Sequence, residues 1–176
     1  MRTANSCALL AAAMLVAAAS ALAAEQPIGG PIARHGMTIS AVYLQAVRMD
    51  AQHGDHSADM HLEADIRAAK GNANGFGENE WLPYLAVAYE VTKPGAPFRT
   101  GSRLVPMVAA DGPHYGDNVK LDGPGRYRVS LRISPPAAND FRRHVDKETG
   151  VDAWWEPFTV EWDFTFVGST GKKGAY

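Results

Sequence analysis

His61 and Glu63 stand two residues apart in the run Met60-His61-Leu62-Glu63-Ala64-Asp65-Ile66. On a strand, side chains alternate, so this imidazole and carboxylate would project side by side from the face opposite Leu62 and Ala64. They make half of a metal site; taken alone they read as a solvated polar face. Further on, the segment from Pro106 to Gly116 offers a thioether (Met107), a carboxylate (Asp111) and an imidazole (His114) on what reads as a loop folded by Asp111-Gly112-Pro113. Such a loop can bring all three to one point. Methionine is mostly core filler, so only its neighbours give Met107 a chemical role. A third cluster, Arg142-Arg143-His144-Val145-Asp146, lies in a long connection of the kind that tends to be functional or mobile. His144 would complete a site begun by the others if the fold brings it there, which spacing alone does not establish. His53 and His56 read better as an exposed loop tip and are left out of the primary site.

Three imidazoles, one thioether and flanking carboxylates form a mixed donor set. Thioether sulfur favours copper, imidazole accepts copper, iron or zinc, and carboxylates favour harder divalent ions. The set suits copper, with the carboxylates able to hold a second position or a second metal such as iron. Enzymatic templates are missing: the chain has no Gly-x-Ser-x-Gly, phosphate-binding loop, dinucleotide glycine pattern or His-Glu-x-x-His. A binding protein is expected rather than an enzyme.

Positioning these residues falls to strands. Phe158, Val160, Trp162, Phe164 and Phe166 alternate with Thr159, Glu161, Asp163 and Thr165, and Tyr127, Val129, Leu131 and Ile133 alternate with Arg126, Arg128, Ser130 and Arg132. Met60 to Ile66 alternates likewise. Thr38 to Val47 and Tyr84 to Val91 are apolar on both sides, as in more central strands. Turn material separates the runs, at Gly71 to Gly77, Lys93-Pro94-Gly95, Asp122 to Gly125 and Pro135-Pro136, and no amphipathic helix intervenes. An all-β, immunoglobulin-like antiparallel β-sandwich is expected, with a closed barrel as the alternative.

Residues 1–24 read as a signal peptide: Arg2, an apolar run from Leu9 to Ala19, then Ala21-Leu22-Ala23 as a small-x-small cleavage pattern. The apolar run is too short for a membrane span of about 20 residues. Export to the periplasm as a protein that does not itself span the membrane follows. The single cysteine, Cys7, falls in the leader, which leaves the mature chain without thiolate or disulfide. Residues 25–167 suit one domain, and residues 168–176 read as a disordered polar tail. Without Arg2 the 17 basic residues become 16 against 19 acidic ones, a net charge near −3 that offers no face for nucleic acid.

At the stretches Ala41 to Gln45, His61 to Ile66, Asn74 to Gly77, Trp81 to Leu85, Met107 to Gly116 and Arg143 to Trp155, the sequence resembles the periplasmic copper-binding proteins of high-affinity ferrous iron uptake, which work beside an inner-membrane iron permease. The resemblance implies an immunoglobulin-like sandwich that forms a homodimer with copper near the subunit interface. Carried over to this chain, it implies His61, Met107, His114 and His144 as copper ligands, with Glu63 and Asp111 as carboxylates that help hold copper or iron. Trp81, Tyr84, Trp154 and Trp155 remain packing residues of the core or dimer. Copper handling or tolerance, and copper-dependent oxidation of ferrous iron, stand as alternative functions.

Overall fold

A computed structural model describes residues 25–50 and 57–168. The segment expected to be a leader, His53, His56 and the residues beyond Gly168 lie outside the described residues. Among the described residues nine strands follow one another: β1 (Gln26–Pro27), β2 (Ile32–Arg34), β3 (Met37–Leu44), β4 (Met60–Ala68), β5 (Ala86–Thr92), β6 (Arg99–Ala109), β7 (Gly112–Val119), β8 (Gly125–Ser134) and β9 (Phe158–Phe166). Among the described residues the helical content is one short 3-10 turn, Pro136–Asn139.

The all-β antiparallel fold matches the strand pattern. The immunoglobulin-like sandwich is not confirmed, because the two groups of ladders share β6 and so run together. The strand order is β1-β3-β4-β7-β6-β5-β8-β9, with β2 also on β3, in one continuous sheet. Continuity comes from β6, which pairs with β5 through Arg99 to Leu104 and with β7 through Val105 to Ala109. The sheet curls into a half-barrel that brings β3 against β9. Tyr43 on β3 donates from its hydroxyl to the Thr165 carbonyl (3.1 Å) and packs its ring on Phe164 and Phe166 of β9.

Period-two alternation points one face of each long strand into the enclosed core. β9 alternates perfectly between buried and exposed, and β3 and β5 also bury every second residue. As expected of interior strands, β3 and β5 each have partners on both edges. β4 departs from the pattern: Met60, Leu62, Ala64 and Ile66 face the core, yet His61 and Glu63 on the other face are buried too. The expected solvated face is covered there.

The segment from Met107 to His114 is not a loop. It is a β-hairpin, β6 to β7, closed at Ala110-Asp111 with Ala109 paired to Gly112. Gly112 turns the chain at φ +128°, a backbone angle closed to most side chains. Pro106 and Pro113 disguised the hairpin, because proline cannot donate to a ladder. Both sit where one edge is unpaired: β4 pairs with β7 only from Tyr115 to Val119, and β5 with β6 only up to Leu104.

The connection between β8 and β9 is fastened rather than loose. Asn74 donates from its side-chain amide to the carbonyls of Asp152 and Ala153 (3.1 and 3.3 Å), and the Asp152 N–H donates to the Ala73 carbonyl (3.0 Å). Phe141 stacks on Tyr84 and Phe76, and Trp154 packs on both Phe76 and Phe141. Trp155 is buried and Trp81 packs on Tyr115, while Tyr84 is exposed.

Candidate metal centre

Strand register builds the site. On β4 and β7, His61 lies opposite Asn118 and Glu63 opposite Gly116; on β6 and β7, Met107 lies opposite His114. His114, Gly116 and Asn118 are two residues apart and so share a face with His61, Glu63 and Met107. In the middle of this face stands a residue without a side chain. A Cβ placed on Gly116 would lie 2.7 Å from His61 Nε2 and 3.2 Å from the Met107 sulfur. The missing side chain lets the His61 imidazole and the Met107 thioether close over Gly116, and the Glu63 carboxylate and the His114 imidazole stand beside His61.

Two nitrogen atoms in this group lack a hydrogen-bond partner. His61 Nε2 and His114 Nε2 are buried without a hydrogen bond, although buried polar atoms are almost always satisfied. Each is 3.5 Å from the same oxygen, Glu63 Oε1. The other ring nitrogen of each histidine is occupied: His61 Nδ1 meets Asn118 Oδ1 at 2.9 Å, and His114 bonds to the Gly112 backbone.

Electrostatics points the same way. Burial pushes His61 down to about 4 and lowers His114, so both rings are neutral near pH 7. Burial, then repulsion from Glu25, Asp111 and Asp65, raises the Glu63 carboxyl to about 7. The close His–Glu pairs are therefore not ion pairs in the ordinary sense. Two imidazole lone pairs and a half-ionised carboxyl face one another with at most one proton between them.

A cation would satisfy this arrangement. The ligand atoms of His61, Glu63 and His114 all lie within 4.8 Å of one another. Donors about 2.1 Å from an ion in a tetrahedral array stand about 3.4 Å apart, close to the spacing of the His–Glu pairs. Neutral imidazoles and a thioether are the donors that a soft or borderline transition metal takes. The residues present fit such an ion.

The sequence matches the family described as Fe2+ transport protein over residues 22–168. This chain belongs to that family. It is 53% identical to a UPF0423 protein of Brucella abortus over 96% of both chains. Among solved structures it is similar to FetP of uropathogenic Escherichia coli, with 46% identity, a TM-score of 0.80, and coverage of 82% of this chain and 97% of that one. The copper-reconstituted P19 protein of Campylobacter jejuni gives 46% identity, a TM-score of 0.80, and coverage of 83% and 98%.

Within this member of the Fe2+ transport protein family, the six site residues expected from sequence divide into three groups. His61, Glu63 and His114 bring their ligand atoms within 4.8 Å of one another, and Met107 meets His61 over Gly116. Asp111, on the hairpin turn, lines an open cavity of about 910 Å3 that reaches Glu63 and His114. His144 is elsewhere, lining a different groove with Phe76, Phe141 and Trp154, its side chain 74% exposed.

Sequence reasoning missed four residues. Glu25 and Asp65 line the same cavity as Asp111; burial raises both carboxyls, Glu25 further by repulsion from Asp111 and Asp65, and Asp65 in spite of the nearby Arg67 guanidinium. For Asp65 a signal existed, since it continues the His61, Glu63 alternation on β4. Asn118 and Gly116 had no signal, because their importance lies in the β4–β7 register.

Proposed function

We propose that the protein is exported to the periplasm, binds copper between His61, Glu63, Met107 and His114, and supports high-affinity iron uptake with an inner-membrane iron permease. The carrying observation is the pair of buried, unpartnered Nε2 atoms equidistant from one Glu63 oxygen, with the Met107 thioether beside His61 over Gly116. Copper-bound relatives of the same fold support the choice of metal, and the family description supports the link to iron.

Bound copper would supply a redox-capable, polarising centre. The chain's own residues bind it and hold it away from water: two neutral imidazoles present lone pairs, Met107 adds a soft donor, and Glu63 gives up its proton and supplies charge. Asp111, Glu25 and Asp65 line the open cavity beside this centre, and that acidic lining favours a harder divalent cation such as iron. His144, exposed and outside the group, suits a homodimer in which His144 of the partner subunit completes the copper site. The curled sheet keeps, in this reading, an immunoglobulin-like relation between its two halves.

Two experiments together test the reading. Metal content is measured on protein recovered from the periplasm, and growth of a deletion strain is followed under iron limitation and under excess copper. Bound copper with poor growth on low iron is expected. Normal iron-limited growth with new copper sensitivity would replace iron uptake by copper tolerance, and protein recovered without copper that fails to bind it in vitro would sink the site.

A further inference from the structure

Asn118 has both ends of its side-chain amide tied to one backbone residue. Its Nδ2 donates to the Val47 carbonyl (2.7 Å), and its Oδ1 accepts from the Val47 N–H (3.2 Å). A carbonyl cannot donate and an N–H cannot accept, so turning the amide over would lose both bonds. The oxygen is therefore held toward His61, whose Nδ1 lies 2.9 Å away. An amide oxygen only accepts, so this contact is a hydrogen bond only when the proton of the ring is on Nδ1.

A different chemical device does the same at His144. The Thr149 hydroxyl lies 2.7 Å from Asp146 Oδ2, and Asp146 Oδ1 accepts the backbone N–H groups of Glu148 and Thr149 (3.1 and 2.9 Å). A hydroxyl has one proton, and the carboxylate takes it. Toward His144 Nδ1, 2.8 Å away, the Thr149 oxygen can then only accept.

We propose that Asn118 and Thr149 are positioning residues that fix His61 and His144 as the tautomer protonated on Nδ1, leaving Nε2 as the atom each offers to a cation. This deepens the copper-binding reading and rests on it. In water an unrestrained neutral imidazole prefers the opposite tautomer, with its proton on Nε2, the atom that must be bare. An oxygen acceptor on the far nitrogen reverses that preference and sets the angle of the ring before any metal arrives. At His61 the same amide joins the site to the backbone at Val47.

Nitrogen-15 NMR of the histidine rings in metal-free protein at pH 8 tests the assignment without copper. Protonated Nδ1 is expected at His61 and His144 in the unaltered chain. Asn118→Leu should release His61 to a tautomer mixture, whereas Asn118→Asp should retain Nδ1–H, because a carboxylate still accepts from the ring and from the Val47 N–H although the donation to the Val47 carbonyl is lost. Thr149→Val should release His144 and Thr149→Ser should not; this exposed site keeps the test open if Asn118→Leu fails to fold. Copper titration should show a loss of about 10- to 100-fold for Asn118→Leu, with Asn118→Asp much nearer the unaltered protein. Protons on Nε2 in the unaltered chain, or equal damage from Leu and Asp at position 118, would overturn the proposal. Correct tautomers in a protein that binds no copper would leave this assignment standing and sink the copper-binding reading instead.

Discussion

Replacing Glu63 by glutamine should make the metal-free protein more stable and the metal-bound protein weaker. The folded carboxyl is raised from 4.5 to about 7, chiefly by burial. A tenfold change in proton affinity is worth about 1.4 kcal/mol, so an ionised Glu63 costs the fold about 3 kcal/mol. Its side chain is only 9% exposed, so solvent screens little of that cost. The sign follows from proton counts. Between the two values the folded state holds a proton that the unfolded chain has released, so stability falls as pH rises through the window from 4.5 to about 7. Glutamine keeps the shape and cannot ionise. Its gain should be about 1 kcal/mol at pH 5 and about 3 kcal/mol at pH 8. Urea denaturation of both metal-free proteins at the two pH values measures it, while copper titration of Glu63→Gln should show weaker binding. A substitution that destabilises at pH 8, or changes stability equally at both pH values, would refute the account of a carboxyl held at a cost for the sake of a cation.

Gly116→Ala should fold, because no unusual backbone angle is required there, yet lose copper, since its Cβ would lie 2.7 Å from His61 Nε2; isothermal titration and a crystal structure would check both halves. On metal binding Glu63, near 7, should release about 0.9 proton at pH 6 and about 0.1 at pH 8 while His61, near 4, releases almost none, so proton release should fall between the two pH values, measurable by calorimetry in buffers of different ionisation enthalpy. Release of two or more protons at pH 6 would mean that the histidines are charged in the free protein. His144→Ala should leave stability within about 0.5 kcal/mol, as its side chain is 74% exposed. Its copper affinity should drop only at protein concentrations where the unaltered chain is dimeric, which analytical ultracentrifugation paired with titration can follow.

Much of the fold was legible because β4, β8 and β9 each carry an alternating run, and alternation on a half-buried strand follows directly from side-chain geometry. The β6–β7 hairpin was not, since Pro106, Pro113 and Gly112 look like turn material wherever pairing partners are unknown. Nor was the continuity of the sheet, which depends on one long strand changing partners halfway along.

For the metal centre, the sequence determined the chemistry: which donors exist, that cysteine is not among them in residues 25–176, and that His61 and Glu63 share one face of a strand. Tertiary structure decided the meeting. Register between β4, β7 and β6 sets His61, Glu63, Met107 and His114 around Gly116, and a slip of one residue would turn each strand's donors to the other side. Burial is also a property of the folded whole, and it keeps the two imidazoles neutral and holds Glu63 near 7, where a cation can displace its proton.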